Sequence, residues 1–140
     1  MEKEPILIKG GQHTDNRGQI RFNNDFDLTE VKRIYTIENR STETIRAWQG
    51  HKIEQRWFSA VSGSFKIQLI KIDNWENPSK NLEKLTFVIN AEKLEVLHVP
   101  QGYVSSIQAL EEGSKLLVMA NYLLGAIKDE YRFEVDYFKK

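Results

Sequence analysis

The chain has 140 residues, with three histidines and no cysteine, and these set much of the chemistry open to it. Histidine titrates near neutral pH, so it can take up and return a proton under working conditions. His51 stands in the run Arg46-Ala47-Trp48-Gln49-Gly50-His51-Lys52. Arg46 and Arg56 each carry a guanidinium, whose paired N–H groups match phosphate oxygens. Tyr35, in RIYTI, can donate a proton or orient a ligand through its hydroxyl. Gln49 hydrogen-bonds but does not shuttle protons, and Ser105 is polar without titrating near neutrality. Each residue also has a plainer reading. His51 can be a hydrogen-bonded interior histidine, and Tyr35 a packed strand residue. Arg46 and Arg56 can form surface ion pairs with Glu43 or Glu54. No acid evident in the sequence partners Ser105, which argues against a nucleophilic serine. Without cysteine there are no disulfides, thiolate metal sites or cysteine nucleophile.

The elements that must position these groups read as short strands. ILI at 6–8 is a brief apolar run. The polar turn in HTDNRGQIRF leads into Ile20 and Phe22, whose alternation predicts a half-buried strand. RIYTI puts Ile34 and Thr36 on one face and Tyr35 and Ile37 on the other. RWFSAV and SFKIQLIKI flank Ser62-Gly63, which predicts a hairpin. On its second arm Phe65, Ile67 and Leu69 alternate with Lys66, Gln68 and Ile70. Residues 74–81, with Pro78, read as a loop. LTFVI, LEVLHV, YVSSIQAL and KLLVMANYL complete about ten strands, and Pro100-Gln101-Gly102 forms a tight turn. No segment has a strong helical period, apart from a short turn at the carboxyl end. Trp48, Trp57 and Tyr103 can stack on a ring or pack in the core. His98 reads as a strand residue; Glu92, Lys93, Glu111 and Glu112 read as solvated turn residues.

Length and composition bound the rest. A 140-residue chain predicts one domain, spanning 1–140, able to bury its own core. Hydrophobic residues at 40% and charged residues at 29% are ordinary globular values. Lys plus Arg and Asp plus Glu both number 20, so neither a nucleic-acid nor a membrane-surface partner is expected. MEKEPILIKGG does not read as a signal peptide, and no stretch approaches the ~18 apolar residues of a membrane span. A cytoplasmic protein is expected. Many short strands separated by turn signals predict an all-β sandwich or barrel.

Two spacings resemble the paired motifs of the cupin superfamily. Gln49-Gly50-His51, Arg56 and Gly63 keep the frame of the first motif, and Pro100-Gln101-Gly102-Tyr103-Val104-Ser105 keeps that of the second. The resemblance implies an all-β, cupin-type double-stranded β-helix, or jelly-roll, barrel with its pocket near His51. Metal-binding cupins place three imidazoles and a carboxylate where this chain has Gln49, His51, Arg56 and Ser105. Only one of these is a good ligand, so a pocket with no metal and no other cofactor is expected. Nothing in the spacing brings His13 or His98 there.

A narrower resemblance covers most of the chain. DNRG, VKRIYTI, RAWQGHK and VSGSFKI, in that order, resemble the nucleotide-sugar 3,4-ketoisomerases that act on dTDP-4-keto-6-deoxyhexoses. The neighbouring dTDP-4-keto-6-deoxyhexose 3,5-epimerases resemble it too, and DEYRFEVDYF looks like the tail of some bacterial homologues. Arg46, His51 and Lys52 match the ketoisomerase motif strand, whereas Gln49 replaces the first histidine of its pair. Val118 falls near the tyrosine of the epimerases, with Tyr122 close by. The resemblance implies an isomerase or epimerase in surface polysaccharide synthesis, with a nucleotide sugar as its small-molecule partner. His51 would be the base, Tyr35 the acid, and Arg46, Gln49, Arg56 and Ser105 would bind substrate. It also implies a homodimer. Loss of the paired histidine motif keeps open a catalytically inactive barrel that only binds a nucleotide sugar or other carbohydrate.

Overall fold

A computed structural model describes residues 3–138. It is all-β, with twelve strands among those residues: β1 (Ile6–Ile8), β2 (Gly11–Asp15), β3 (Gly18–Phe22), β4 (Arg33–Ile37), β5 (Ile45–His51), β6 (Arg56–Ser62), β7 (Ser64–Lys71), β8 (Leu85–Asn90), β9 (Val96–Val99), β10 (Tyr103–Ala109), β11 (Lys115–Ala120) and β12 (Tyr131–Arg132). They form two five-stranded antiparallel sheets, β1-β9-β6-β11-β4 and β12-β5-β10-β7-β8, and a separate β2-β3 hairpin. This is compatible with the jelly-roll arrangement that the resemblance to cupins implies, and with the all-β sandwich or barrel that the strand count predicts.

Side-chain alternation builds the space between the sheets. Phe65, Ile67 and Leu69 of β7 point inward and are fully buried with Ile89, Leu97, Leu116 and Val118, beside the buried Phe58. Burying each such side chain is worth about 1.5–3 kcal/mol. Ile34 and Thr36 face outward, and Tyr35 and Ile37 inward, as their alternation predicts. Ile70, on the other face of β7, joins Trp48, Ile72 and Val104 beneath the carboxyl-terminal segment, which Phe138 anchors. Phe138 meets Trp48 edge-on at 5.4 Å between ring centroids. Residues 74–81 are a loop. The carboxyl-terminal turn closes with a Tyr137 N–H to Glu134 C=O bond of 2.9 Å.

Two expectations fail. The chain around Ser62-Gly63 is not a hairpin, because β6 pairs with β11 and β9 while β7 pairs with β10 and β8. The turn instead carries the chain from one sheet to the other. Gly63 has φ +70°, and a Cβ there would lie 2.0 Å from Ser114 Oγ, so only glycine fits the corner. A short turn between two β-rich runs looks the same in sequence whether the runs pair or cross. The second failure is β3, which is exposed throughout, with Ile20 at 59% and Phe22 at 37%. Among the described residues it pairs with β2 and joins neither five-stranded sheet. Alternation reports which face is apolar, not whether anything covers it.

Candidate active site

The polar side chains gather where β4 and β6 face β5 and β10. Arg33, Tyr35 and Ile37 of β4 share one face by strict alternation, as do Tyr103, Ser105 and Ile107 of β10. Strict alternation would send Arg46 and Gln49, three residues apart, to opposite faces. The β5–β10 ladder resets them: Gln49 pairs with Ser105 but Arg46 with Ile107, so three steps on β5 match two on β10. This bulge brings Arg46 back to the face of Gln49 and His51. Gly50 lets the two strands meet closely, since a Cβ there would lie 2.2 Å from the Tyr103 carbonyl oxygen.

Two connected spaces result. An inner recess of about 40 Å³ is lined by Tyr35, Gln49, His51, Arg56, Tyr103 and Ser105, with apolar neighbours. It shares Tyr35, Gln49, Arg56 and Ser105 with an outer cleft of about 280 Å³, which adds Arg33, Arg46 and Glu130. All six residues singled out in the sequence, His51, Tyr35, Arg46, Gln49, Arg56 and Ser105, therefore line one continuous site.

His51 closes the inner end and is buried. The turn before β10 holds its backbone, through a Gly102 N–H to His51 C=O bond of 2.8 Å. Its Nδ1 lies 2.9 Å from the Asp129 carbonyl oxygen. A carbonyl only accepts, so Nδ1 carries the hydrogen and, in the neutral ring, Nε2 carries the lone pair. Burial holds the His51 pKa below its ordinary value, and the Arg56 cation lowers it further. Glu54, the Asp129 carbonyl bond and the Asp129 charge oppose that shift. The imidazole is therefore neutral at pH 7, the form a general base needs.

Asp129 also organises the turn after β5. Its carboxylate accepts the backbone N–H groups of Lys52, Ile53 and Glu54 at 3.0, 2.9 and 2.7 Å. The following residues run back along β5, pairing Tyr131 with Gly50 and Arg132 with Gln49. Arg56 is buried, and its Nε donates to Glu54 Oε1 at 2.9 Å. A second nitrogen, Nη2, bonds the same oxygen, and Nη1 donates to the Tyr35 hydroxyl. The ion pair with Glu54 is thus an interior one rather than a surface one. Because Arg56 donates to the Tyr35 oxygen, the Tyr35 hydrogen remains available to another acceptor. The Arg46 Nε donates to Asn39 Oδ1 at 2.8 Å, with no bond to Glu43. Ser105 Oγ donates to the Gln49 carbonyl at 3.3 Å.

The other candidates fall elsewhere. Trp48 and Trp57 are buried packing residues, whereas Tyr103 walls the recess. His98 stacks on Trp57 at 5.1 Å and contacts Gln55 Oε1 at 2.7 Å; His13 lies on β2, 3.7 Å from Asp15. Val118 is in the apolar core, and Tyr122 follows β11 outside both spaces. Glu92, Lys93, Glu111 and Glu112 are exposed.

The motif positions do not fit a divalent metal. His51 is their single imidazole and commits Nδ1 to a carbonyl, while Arg56 sets a permanent cation beside it. Among the described residues, no group of three or more His, Cys, Asp or Glu is placed to hold a metal ion.

Sequence reasoning missed Asp129 and Arg33. Arg33 sits two residues before Tyr35, so strand alternation alone could have placed it on the same face. Its guanidinium lies 4.8 Å from the Tyr35 ring centroid. Its Nε is buried without a hydrogen-bond partner, the single such side-chain atom among the described residues. Asp129 follows a stretch with no strand or helix period and offered no local signal.

Fold and site together define a cupin-type jelly roll with a polar recess between its sheets. The chain belongs to the FdtA family (WxcM-like, C-terminal), whose model matches residues 4–140. A mutant of the 3,4-ketoisomerase QdtA from Thermoanaerobacterium thermosaccharolyticum, in complex with TDP-4-keto-6-deoxyglucose, is similar in fold. It has 22% identity and a TM-score of 0.72, over 99% of this chain and 94% of that one. The TDP-quinovose 3,4-ketoisomerase WlaRB from Campylobacter jejuni has 21% identity and a TM-score of 0.70, over 98% of each chain. The rmlC epimerase of Mycobacterium tuberculosis has 13% identity and a TM-score of 0.73, over 97% of this chain and 73% of that one. No curated protein matches the chain.

Proposed function

We propose that the protein is an isomerase or epimerase of a nucleotide-linked 4-keto-6-deoxy sugar, with dTDP as the nucleotide, serving surface polysaccharide synthesis. The observation that carries this reading is the His51 tautomer. A neutral imidazole, fixed through Nδ1 by the Asp129 carbonyl, stands in a recess shared with Tyr35 and Arg56. Similarity in fold to proteins that act on such sugars supports it, and the QdtA structure holding TDP-4-keto-6-deoxyglucose is a histidine-to-asparagine mutant.

A ketone acidifies the adjacent C–H. His51 Nε2 removes that proton, and the C–H electron pair moves through the new C=C bond onto the ketone oxygen. The Tyr35 hydroxyl donates toward that oxygen. In epimerisation a proton from water returns to the other face of the same carbon as the ketone re-forms. In ketone migration the old ketone oxygen keeps the Tyr35 proton, and His51 gives its proton to the carbon that bore the ketone. The neighbouring hydroxyl returns a proton to Tyr35 as it becomes the new ketone. At about 40 Å³ the recess admits the reacting edge of a sugar but not the ring, which belongs in the outer cleft. There Arg46 and Arg33, with its unpartnered Nε, suit the diphosphate. Gln49 and Ser105 hydrogen-bond the sugar. Exposed Ile20 and Phe22 on the free hairpin, and Ile34 on β4, fit a homodimer, which light scattering would test. Among the described residues no helix is long and apolar enough to cross a membrane; a cytoplasmic site of action is in keeping with the proposed substrate.

The test is incubation with dTDP-4-keto-6-deoxyglucose in deuterated water. Deuterium is expected at a carbon beside the ketone, and not in His51→Asn. Tight binding of nucleotide sugars without exchange would sink the enzyme reading in favour of a binding barrel.

A further inference from the structure

Three charged groups surround His51 in a space that water barely reaches. Arg56 contributes one positive charge, and Glu54 and Asp129 one negative charge each. With the imidazole neutral the cluster carries one negative charge in excess; with His51 protonated it is balanced. The side chains of His51, Glu54, Arg56 and Asp129 are only 10%, 8%, 11% and 4% exposed, so solvent does little of the balancing.

The two carboxylates are not equivalent. That of Asp129 is committed to three backbone N–H groups and lies 4.0 Å from His51 Nδ1. That of Glu54 presents a single oxygen, Oε1, both to Arg56 and, at 3.8 Å, to His51 Nδ1. Since Nδ1–H already donates to the Asp129 carbonyl, the contact between Glu54 and His51 is Coulombic and favours only the charged ring. The backbone of Glu54 is pinned in turn by Asp129.

We propose that Glu54 is a positioning residue serving two partners: it holds Arg56 against the Tyr35 hydroxyl, and it compensates the charge on His51 when the imidazole takes up a proton. The second role makes the protonated imidazole accessible in a recess where these side chains are almost fully buried. The catalytic consequence rests on the base role of His51 proposed above; the electrostatic one does not. The other groups facing His51 are Arg56 from β6, Asp129 from the carboxyl-terminal segment, Tyr35 from β4 and Tyr103 from β10.

The two partners of Glu54 Oε1 give a test with opposite signs. NMR of labelled histidine follows the His51 titration, with His51→Asn assigning the signal among the three histidines. Glu54→Gln removes the charge that favours imidazolium and leaves Arg56 uncompensated, so the midpoint falls below that of the unmodified protein. Arg56→Gln removes the opposing cation, so the midpoint rises. Glu54→Asp, keeping the charge, stays closer to the unmodified protein than Glu54→Gln does.

Nonspecific loosening of the recess would move Glu54→Gln and Arg56→Gln in the same direction, and that result overturns the proposal. An unmoved midpoint in Glu54→Gln does so as well. If Glu54→Gln fails to fold, Glu54→Ala, which also removes the charge, and Arg56→Gln decide by the same signs. In deuterium exchange, Glu54→Gln is expected to lower kcat about tenfold, as for loss of one favourable charge contact, with KM nearly unchanged. A changed KM with full kcat would assign Glu54 to substrate binding instead. If the unmodified protein shows no exchange, the enzyme reading fails while the titration still judges Glu54.

Discussion

One pair of sheets encloses two unlike interiors. Along β7, β8, β9 and β11 the space is filled by Phe65, Ile67, Leu69, Ile89, Leu97 and Leu116, all fully buried. Along β4, β5, β6 and β10 it is lined by Tyr35, Gln49, His51, Arg56 and Ser105. The halves share a ladder, since β10 pairs Ile107 with Ile67 and Ser105 with Leu69. The apolar half needs only volume and shape. The polar half must find partners for the donors and acceptors it buries, and some of them come from outside the sandwich: Asp129 reaches in from a carboxyl-terminal segment that pairs along the edge of β5. Stability and chemistry are therefore assigned to different ends of the same sandwich.

Substitutions at the two ends should separate these roles. The largest expected effect is on the polar side. His51→Asn should reduce deuterium exchange about 1,000-fold, within the range for loss of a general base, with a melting temperature little changed. On the apolar side, Ile67→Ala should cost about 2–5 kcal/mol of stability by urea titration, while dTDP affinity of the folded fraction stays the same. A loss of affinity as large as the loss of stability would mean that the two ends are mechanically coupled. Arg46→Ala should act more gently, weakening dTDP binding about tenfold by calorimetry, because Arg33 remains in the cleft.

The apolar half was readable in the sequence because it depends on a period of two, which put Phe65, Ile67 and Leu69 inside. The motif strands were readable through the resemblance to the cupin motifs, which set Gln49, His51 and Ser105 on adjoining strands. Long-range facts were not readable. The crossing at Gly63 depends on Ser114, fifty-one residues later, and the exposure of Ile20 depends on what fails to cover it. The bulge that turns Arg46 inward exists only in the pairing with β10. Asp129 reaches His51 across seventy-eight positions. The sequence thus located His51 without revealing what holds it, and it offered Glu54 only as a surface partner for Arg56.

The difference between the two ends also predicts how stability responds to pH. Burial is the leading cause that lowers the pKa of both His51 and His98 from the ordinary value of 6.5. A histidine whose folded pKa lies below its unfolded one binds more protons in the unfolded chain between those two values. Stability is then fully present above about pH 6.5 and is lost as pH falls toward the folded pKa, with a limiting slope of about 1.4 kcal/mol per pH unit for one proton. Asp15, Asp27 and Asp73 also have lowered values, from 3.8, so their stabilisation is lost only in more acidic solution. Urea titrations at pH 5, 6, 7 and 8 isolate the histidine window. His51→Asn should flatten the loss below pH 6.5, and His98→Asn should flatten it less, since His98 is the more exposed of the two. A His51→Asn protein that weakens as steeply as the unmodified one would assign the effect to His98, and would mean that the polar end of the sandwich pays no penalty for a charged imidazole.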